Sequence, residues 1–469
     1  MSIKISKDEF NLLNNFQKEI HFVENNTEEI TSFTFKKYKK STWYDDCHLK
    51  LESQKLDMNK IIYKINDSFH FLLYTYMKFN TPEYIVNKEY KDKIRISLTY
   101  NVGTNIIESA LLKDDSYIFD SFDSVDCDVQ FGFFQKQGHG KRTKHEIDVG
   151  NINSLVKWTN HIHSHKINVK QPWFFSEFMT LALPLFYKSS LSRMEMHYTF
   201  KKNVISDILR IQTLSKGKWI NVNNNKIDIR KYITIKNYNS VENPEVWGRY
   251  RYISDLEINF HKKMFNNEKI RSYYFKTLEN CDNLSTKTYE DVLYSDLKSK
   301  NPCMAIFFMA QNYNSILNHN YSNYTTNTKN QMKGFNPIDN VTIKYGNEIL
   351  FENYDTIHFS STQPLEHFLS VPKRIGFNVH SYNCYCSDYD PGVGIVFTIE
   401  KRAKLECRII KNIENDDEYD LNKLDIQNSI QSLNRDNNDI TNFIFRVRLL
   451  VLKKLNIKEQ NGIYHFEIE

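Results

Sequence analysis

The chain of 469 residues contains few of the residues that usually build turns. It has only 13 glycines and 9 prolines, which is low for a protein made of β-strands, because the turns between strands commonly use both. Asparagine and aspartate can replace them, since their short side chains hydrogen-bond the local backbone and tolerate left-handed conformations. The scarcity therefore does not exclude a β-protein, but it predicts that Asn and Asp form many of its turns.

Cysteines in a regular framework, long apolar runs and a charge excess are also missing. The seven cysteines, an odd number without regular spacing, argue against a disulfide framework and predict a reducing compartment. No run approaches the length of a membrane span and the N-terminus lacks a signal-peptide core, so we expect a cytosolic protein. The net charge is +5, and no basic run exceeds the short cluster at Lys36–Lys40. This near balance predicts no specific nucleic-acid partner.

Aromatic residues and period-two alternation are abundant. The 29 tyrosines and 32 phenylalanines favour strands over helices. Strict alternation of apolar and other residues over Ile94–Val102 and Met194–Phe200 predicts strands that are buried on one face. Apolar residues at every second position of Phe443–Val451 predict a further core strand. The first 30 residues are polar, with apolar residues at helical spacing between Asp8 and Phe22, and we expect them to form an N-terminal arm. The chain is therefore expected to be all-β, with short helices in its loops.

The stretch Val371–Phe397 has an informative order of turn, strand and turn. Pro372 and Gly376 precede an alternating run, which predicts a strand. Pro391 and Gly392 then predict a tight turn, because proline fixes its own φ and glycine accepts a positive φ. A second strand, from Gly394 to Glu400 and including Phe397, is expected after the turn. Taken alone, this pattern fits an ordinary corner of a β-sandwich.

Together with five further stretches, this corner resembles the major capsid proteins of nucleocytoplasmic large DNA viruses, of the asfarvirus and iridovirus type. The stretches follow the order found in that family, and their signature residues include Gly103, Pro172, Phe174, Pro184, Asn301 and Pro302. They are Tyr100–Glu108, Pro172–Phe200, Trp247–Phe265, Asn301–Gln311 and Asn320–Thr325. Two departures, Lys113-Asp114-Asp115 where the family often has two glycines and Ser192 where it has a proline, indicate a divergent and short member.

The resemblance implies a fold and a role. The fold would be a double jelly roll, with two successive eight-stranded jelly-roll β-sandwiches in one chain. The expected division is an N-terminal arm at 1–30, a first jelly roll at 31–222 and a second at 223–469. The role would be that of a structural major capsid protein, not an enzyme, whose homotrimers form pseudo-hexameric capsomers that tile an icosahedral virion shell.

The resemblance also implies partners and a place of assembly. Neighbouring capsomers, minor capsid or cement proteins and an inner viral membrane are the implied partners, and the host cytoplasm, in a viral factory, is the implied place of assembly. No cofactor is implied.

Two alternatives stay open from the sequence. A poxvirus-like scaffold protein of immature virions resembles the same double jelly roll. A jelly-roll protein that binds or hydrolyses carbohydrate is of another class, and would need a groove of exposed aromatics or paired carboxylates. The sequence has no convergent catalytic pattern, and Cys303, in an apolar run, is expected to be a buried thiol.

Three histidines, His161, His163 and His165, are candidate metal ligands. On a strand their imidazoles would share one face, and imidazole is a common ligand of transition metals. No carboxylate or cysteine lies nearby in the sequence. We therefore expect a surface loop without a bound ion, and keep metal binding by these histidines as the alternative.

Overall fold

The computed structural model describes most of the chain from Tyr44 onward. The described ranges are 44–114, 117–135, 139–177, 181–187, 194–222, 227–259, 262, 270–283, 292–328, 331, 334–387, 394–397, 403–410, 443–460 and 463–468. The predicted N-terminal arm and the predicted turn at Pro391 and Gly392 lie outside these ranges.

The first part of the chain forms four antiparallel sheets. Its described strands are, in chain order, β1 (Tyr44–Lys50), β2 (Glu52–Asp57), β3 (Lys60–Lys64), β4 (Phe71–Asn80), β5 (Glu83–Val86), β6 (Ile94–Leu98), β7 (Ile107–Asp114), β8 (Tyr117–Phe122), β9 (His161–Ile162), β10 (Lys166–Lys170), β11 (Leu183–Pro184), β12 (Met194–Phe200), β13 (Leu209–Ser215), β14 (Lys218–Val222), β15 (Ile233–Lys236) and β16 (Glu245–Ile253). Sheet I has the order β1-β16-β4-β10, with β11 also on β4, and sheet II has the order β2-β3-β12-β7-β8. Sheets III (β14-β13-β6) and IV (β15-β5-β9) are smaller.

The second part of the chain forms two antiparallel sheets. Its described strands are β17 (Ile270–Asn280), β18 (Val292–Leu297), β19 (Cys303–Asn312), β20 (Ile338–Tyr345), β21 (Glu348–Asp355), β22 (Asn378–Ser381), β23 (Ala403–Ile409), β24 (Phe443–Gln460) and β25 (Ile463–Ile468). Sheet V has the order β17-β24-β19-β22, with β25 also on β24, and sheet VI has the order β18-β23-β20-β21.

The helices are short and lie in the connections between strands. They are α1 (Val102–Asn105), α2 (Ser124–Phe133), α3 (His139–Asp148), α4 (Asn153–Val156), α5 (Phe174–Glu177), α6 (Val204–Asp207), α7 (Asn239–Glu242), α8 (Tyr313–Leu317) and α9 (Gln363–His367), with 3-10 turns at Lys88–Tyr90, Leu185–Tyr187 and Ile229–Lys231 and a π-helical turn at His358–Thr362. A further helical turn covers residues 255–259. Within the described ranges, no helix combines the length and apolarity that a membrane crossing requires.

The core of the first part lies between sheets I and II. Strand β12 is buried at every second residue, as its alternation predicts. Tyr198 on β12 meets Tyr63 on β3 edge-to-face, with ring centroids 5.4 Å apart, a geometry that aromatic pairs prefer. Leu72 on β4 and Tyr250 on β16 close the core from sheet I. These contacts make the first part a β-sandwich.

The second part is also a β-sandwich, and its central strand is covered on both faces. All ten residues of β19 are buried, which explains why its sequence is almost continuously apolar. Ile306 and Phe308 point to the core shared with sheet VI, whereas Phe307 and Met309 belong to a separate cluster on the opposite face. Cys303 is fully buried, as predicted.

One strand prediction needs correction in extent, and a second strand is described only in part. The strand expected over Ile94–Val102 ends at Leu98, because Asn101 adopts a left-handed conformation with a φ of 50° and α1 begins at Val102. Of the strand expected from Gly394 to Glu400, only residues 394–397 are described, and they make one isolated antiparallel bridge, between Ile395 and Cys303. The other predicted strands, at Met194–Phe200, within the stretch after Gly376 and from Phe443, are present.

Candidate functional site: the junction of the two sandwiches

A helix from the first sandwich forms the centre of the junction. Helix α2 begins with a capping box: the side chain of Asp123 accepts hydrogen bonds from the backbone N–H groups of Val125 and Asp126, and the Asp126 side chain accepts one from the Asp123 backbone N–H. This pairing satisfies backbone donors that a helix start leaves open. The cap fixes where the helix begins and where both carboxylates point.

Arg448 on β24 joins the second sandwich to this helix start. Its Nη2 lies 2.6 Å from Asp123 Oδ2 and its Nε lies 2.5 Å from Asp126 Oδ1. Its Nη1 donates to Asp282, which follows β17. The guanidinium is fully buried, so these three carboxylates replace the water it has lost.

The charges at this cluster shift the pKa values of its members. Burial by itself would lower the pKa of Arg448, but the carboxylates of Asp126, Asp123 and Asp282 outweigh it and raise that pKa. Burial raises the pKa of Asp126, and the Asp123 carboxylate raises it further, against the lowering effect of Arg448. Arg446 adds a second cation, 3.0 Å from Asp282. The cluster therefore contains two arginines and three aspartates, grouped around the buried guanidinium of Arg448.

The apolar face of α2 packs on the free face of sheet V. Phe133 is fully buried, with its ring centroid 4.8 Å from that of Phe307 and 5.3 Å from that of Phe368. The Ser370 hydroxyl donates a 2.6 Å hydrogen bond to the carbonyl of Gly132. A Cβ at Gly132 would lie 3.3 Å from Pro372, so the helix approaches the stretch after α9 closely. Pro372, one of the turn residues singled out in the sequence, therefore lies at the junction.

A second polar contact crosses the junction through α1. The Nδ2 of Asn101 donates to Asp128 Oδ1 at 2.5 Å, and the Tyr324 hydroxyl donates to Asp128 Oδ2 at 2.9 Å. Arg374 Nη2 donates to Asn101 Oδ1 at 3.1 Å. Burial raises the pKa of Asp128, and Arg374 opposes that effect. Gly103, in the same turn, has no space for a side chain, since a Cβ would lie 2.4 Å from the side chain of Val169.

A third contact joins β8 to β17. Asp120 accepts hydrogen bonds from the Thr277 hydroxyl at 2.7 Å and from the Phe174 backbone N–H at 2.8 Å. Burial raises the pKa of Asp120 to about 6, against the lowering effect of these hydrogen bonds. The ring of Phe174 packs on Phe275, with centroids 4.3 Å apart. The predicted residue Phe174 thus lies at the junction, whereas Pro172 precedes it and Pro184 pairs with β4 in sheet I.

The remaining signature residues lie inside the second sandwich. Gly376 has a φ of +100°, and a Cβ there would lie 2.1 Å from the carbonyl oxygen of Tyr324, so glycine is required at this position. Asn301 donates to Glu279 at 3.2 Å, Pro302 accepts a backbone hydrogen bond from Leu452, and Phe397 packs on Tyr345. These residues support the strands of sheets V and VI.

The histidine cluster lies away from the junction, between β5 and β9. His161 and His163 lie close to Glu83, with His161 Nε2 2.8 Å from Glu83 Oε1. His165 is not part of this group. Glu83 is not among the predicted ligands, because it is 78 positions from His161 along the chain. The roles of Arg448 and α2 at the junction are not predicted from the sequence either, although the Asp123-x-x-Asp126 spacing resembles a capping box.

Two β-sandwiches in one chain, joined by a buried helix and ion cluster, define the protein as a double jelly roll. Solved capsid structures are similar to it over nearly its full length. A chain of the PBCV-1 virus capsid aligns with a TM-score of 0.61 at 13% identity, covering 92% of this chain and 98% of that one. The Faustovirus major capsid protein aligns with a TM-score of 0.59 at 10% identity, covering 95% and 98%. The predicted fold class is confirmed.

Sequence comparison identifies similar proteins of the same kind. The model of the large eukaryotic DNA virus major capsid protein matches residues 263–438. The major capsid protein of Wiseana iridescent virus is 22% identical over 386 residues, covering 77% of this chain and 75% of that protein, and that of Simulium iridescent virus is 22% identical over 381 residues, covering 77% of each. The chain is therefore similar in sequence to the major capsid proteins of large DNA viruses, and the relatives that it matches are capsid proteins, not enzymes.

Proposed function

We propose that three copies of this chain assemble into a pseudo-hexameric capsomer, and that such capsomers tile an icosahedral shell. The junction carries the proposal. Arg448 and α2 join two sandwiches of the same general form into one unit with a buried interface. Three such units arranged head to tail give six sandwiches around one axis, and a head-to-tail contact closes into a ring when its rotation permits.

We propose that the boundary between the two jelly rolls lies between Ile253 and Ile270, later than the 222/223 division expected from the sequence. Strand β16 supports this boundary, because it pairs with β1 and β4 in sheet I. Strand β17 pairs with β24 in sheet V.

We propose that the edge of sheet VI takes part in the contact between copies. Among the described strands, β21 pairs only with β20, and seven of its eight residues are exposed. Ile349 and Leu350 on this strand, with Ile357 just beyond it, are each about half exposed or more, at 50%, 47% and 63%. An exposed apolar edge favours pairing with another surface, and a neighbouring copy would cover it.

Further partners and the place of assembly complete the proposal. We propose that the assembled lattice contacts minor capsid or cement proteins and an inner viral membrane, and that assembly takes place in the host cytoplasm. The seven cysteines are all free thiols, which suits a reducing compartment.

The assembly proposal can be tested by negative-stain electron microscopy of the purified full-length chain. We expect hexagonal particles, each made of three copies. Particles of single-subunit size at high protein concentration would contradict the proposal.

A further inference from the structure

We propose that Glu83, His161 and His163 form a binding site for a divalent transition-metal ion of the Zn²⁺ class. One carboxylate oxygen and two imidazole nitrogens are available, and the three ligand atoms lie within 4.8 Å of one another. His161 Nε2 is 2.8 Å and His163 Nδ1 is 3.9 Å from Glu83 Oε1. Ligand atoms of a tetrahedral zinc ion, with bonds of about 2.0–2.1 Å, lie roughly 3.3 Å apart, and the two observed separations lie on either side of that value.

The backbone fixes these three side chains on one face of sheet IV. In the β5–β9 pair, Tyr84 is opposite Ile162 and Ile85 is opposite His161. Continuing this register puts Glu83 opposite His163, and the period of two puts both histidines on the face of Glu83. The site therefore consists of Glu83 on β5, His161 on β9 and His163, the first residue after β9.

The residues that follow hold the histidine segment in position. The backbone N–H of His165 donates to Thr81 Oγ1 at 2.9 Å, and the backbone N–H of Thr81 donates to the His165 carbonyl at 2.9 Å. The Ser164 hydroxyl donates to the Thr81 carbonyl at 2.6 Å. His165 thus contributes its backbone to the segment, and its side chain is available as a matched control.

The donor set selects a class of ion. Two imidazoles and a carboxylate suit Zn²⁺, Co²⁺, Ni²⁺ and Cu²⁺, whereas Mg²⁺ and Ca²⁺ prefer oxygen ligands alone. The hydrogen bond between His161 and Glu83 lowers the pKa of the Glu83 carboxyl, and it already holds the two side chains 2.8 Å apart. The side chain of His163 is 79% exposed, which gives the ion a path from solvent. Three protein ligands leave a coordination position open for water.

A nearby lysine limits the affinity of the site. Lys236 on β15 is opposite Glu83 in the β15–β5 pair, and its charge also lowers the pKa of Glu83. A metal ion at the site would be repelled by this ammonium group. Removing the charge should therefore strengthen binding, which gives a variant with an effect opposite to that of losing a ligand.

The test is a titration of the full-length chain with Zn²⁺ by calorimetry and with Co²⁺ by visible absorption, after removal of any polyhistidine tag and of bound metal by a chelator. We expect one ion per chain, at least tenfold weaker binding in His161→Ala, His163→Ala and Glu83→Gln, unchanged binding in His165→Ala, and tighter binding in Lys236→Met.

Three results would overturn the proposal: no saturable binding, binding that His163→Ala leaves intact, or an equal loss in His165→Ala. Because His163 is largely exposed, its substitution should leave the fold unchanged, and thermal melting without metal checks this. The titration does not depend on the assembly state, so its outcome is separate from that of the capsomer proposal.

Discussion

Arg448 Nε of the second jelly roll lies 2.5 Å from Asp126 Oδ1 on the helix of the first, and this buried ion pair links the two halves of the chain. The residues are 322 positions apart. The same carboxylate caps its own helix through Oδ2. The Asp126 carboxylate therefore takes part both in the cap of α2 and in the attachment of the second sandwich.

Removing the buried cation should destabilise the whole protein. Arg448→Met leaves Asp123, Asp126 and Asp282 without their shared guanidinium, and breaking a buried pair in this way costs about 3–5 kcal/mol. The measurement is the thermal melting temperature together with the denaturant midpoint. The matched control is Lys344→Met, which breaks a partly exposed pair with Glu406 and should cost less than about 1 kcal/mol. Equal melting temperatures for the two variants would show that the junction does not depend on this ion pair.

The apolar part of the junction should be equally sensitive. Phe133→Ala would empty the space between α2 and sheet V, and a buried Phe→Ala change typically costs about 3–5 kcal/mol. The denaturant midpoint should fall accordingly. Phe335→Ala provides the control, because that ring is 73% exposed and its loss should change the midpoint little. If the Phe133 variant unfolds at the same denaturant concentration as the control, the Phe133 ring does not stabilise the packing of α2 on sheet V.

Acid should destabilise the second jelly roll through His380 on β22. Burial lowers the pKa of His380 to about 4, with smaller contributions from His358 and His367, and neither ring nitrogen has a hydrogen-bond partner among the described residues. The unfolded chain binds a proton near its ordinary pKa of about 6.5 while the folded chain does not, so stability falls as the pH drops from about 6.5 to about 4. The loss from this group amounts to about 3 kcal/mol.

The measurement is the melting temperature as a function of pH. His380→Phe keeps the aromatic packing beside Phe351 and Phe359 but cannot take up a proton, so its profile should be flatter between pH 6.5 and 4. The exposed His465 gives the control, His465→Gln, whose profile should match that of the unmodified chain. A His380→Phe profile as steep as that of the unmodified chain would contradict the assignment.

The proposed contact at β21 predicts a change in assembly without a change in folding. Leu350→Glu puts a charge on the exposed edge of sheet VI, where a neighbouring copy would have to bury it, and burying an unpaired charge is unfavourable. We expect trimers to dissociate at protein concentrations where the unmodified chain stays assembled, with an unchanged circular dichroism spectrum. Leu256→Glu, at a site that is 78% exposed outside this edge, should leave assembly intact. Dissociation in both variants, or in neither, would exclude β21 as the contact.

Much of the fold could be predicted from local patterns. The alternation at Met194–Phe200 matches the burial of β12 residue by residue, because the period of a strand is a property of the backbone. Gly376 lies just before β22 with a positive φ, beside the Tyr324 carbonyl, where only glycine fits. The strand predicted from Ile94 is too long by four residues, because the sequence alone does not show that the backbone of Asn101 adopts a left-handed conformation.

The junction could not be predicted in the same way. Arg448 occupies a strand position whose neighbours, Val447 and Leu449, are buried core residues, and nothing local indicates that three distant aspartates surround its side chain. The carboxylate partner of the histidines could not be predicted for the same reason, since Glu83 comes close to them only through the β5–β9 pairing. Contacts between residues far apart in the chain depend on the topology of the sheets. For this chain the topology is predicted only by the resemblance to the capsid family.

The central claim, that the chain is the subunit of a trimeric capsomer, is tested most directly by the solution mass of the purified full-length protein, measured by light scattering across a range of concentrations. The account predicts a mass near three times 56.0 kDa that does not change on dilution through the micromolar range. A mass near 56.0 kDa at every concentration would contradict it.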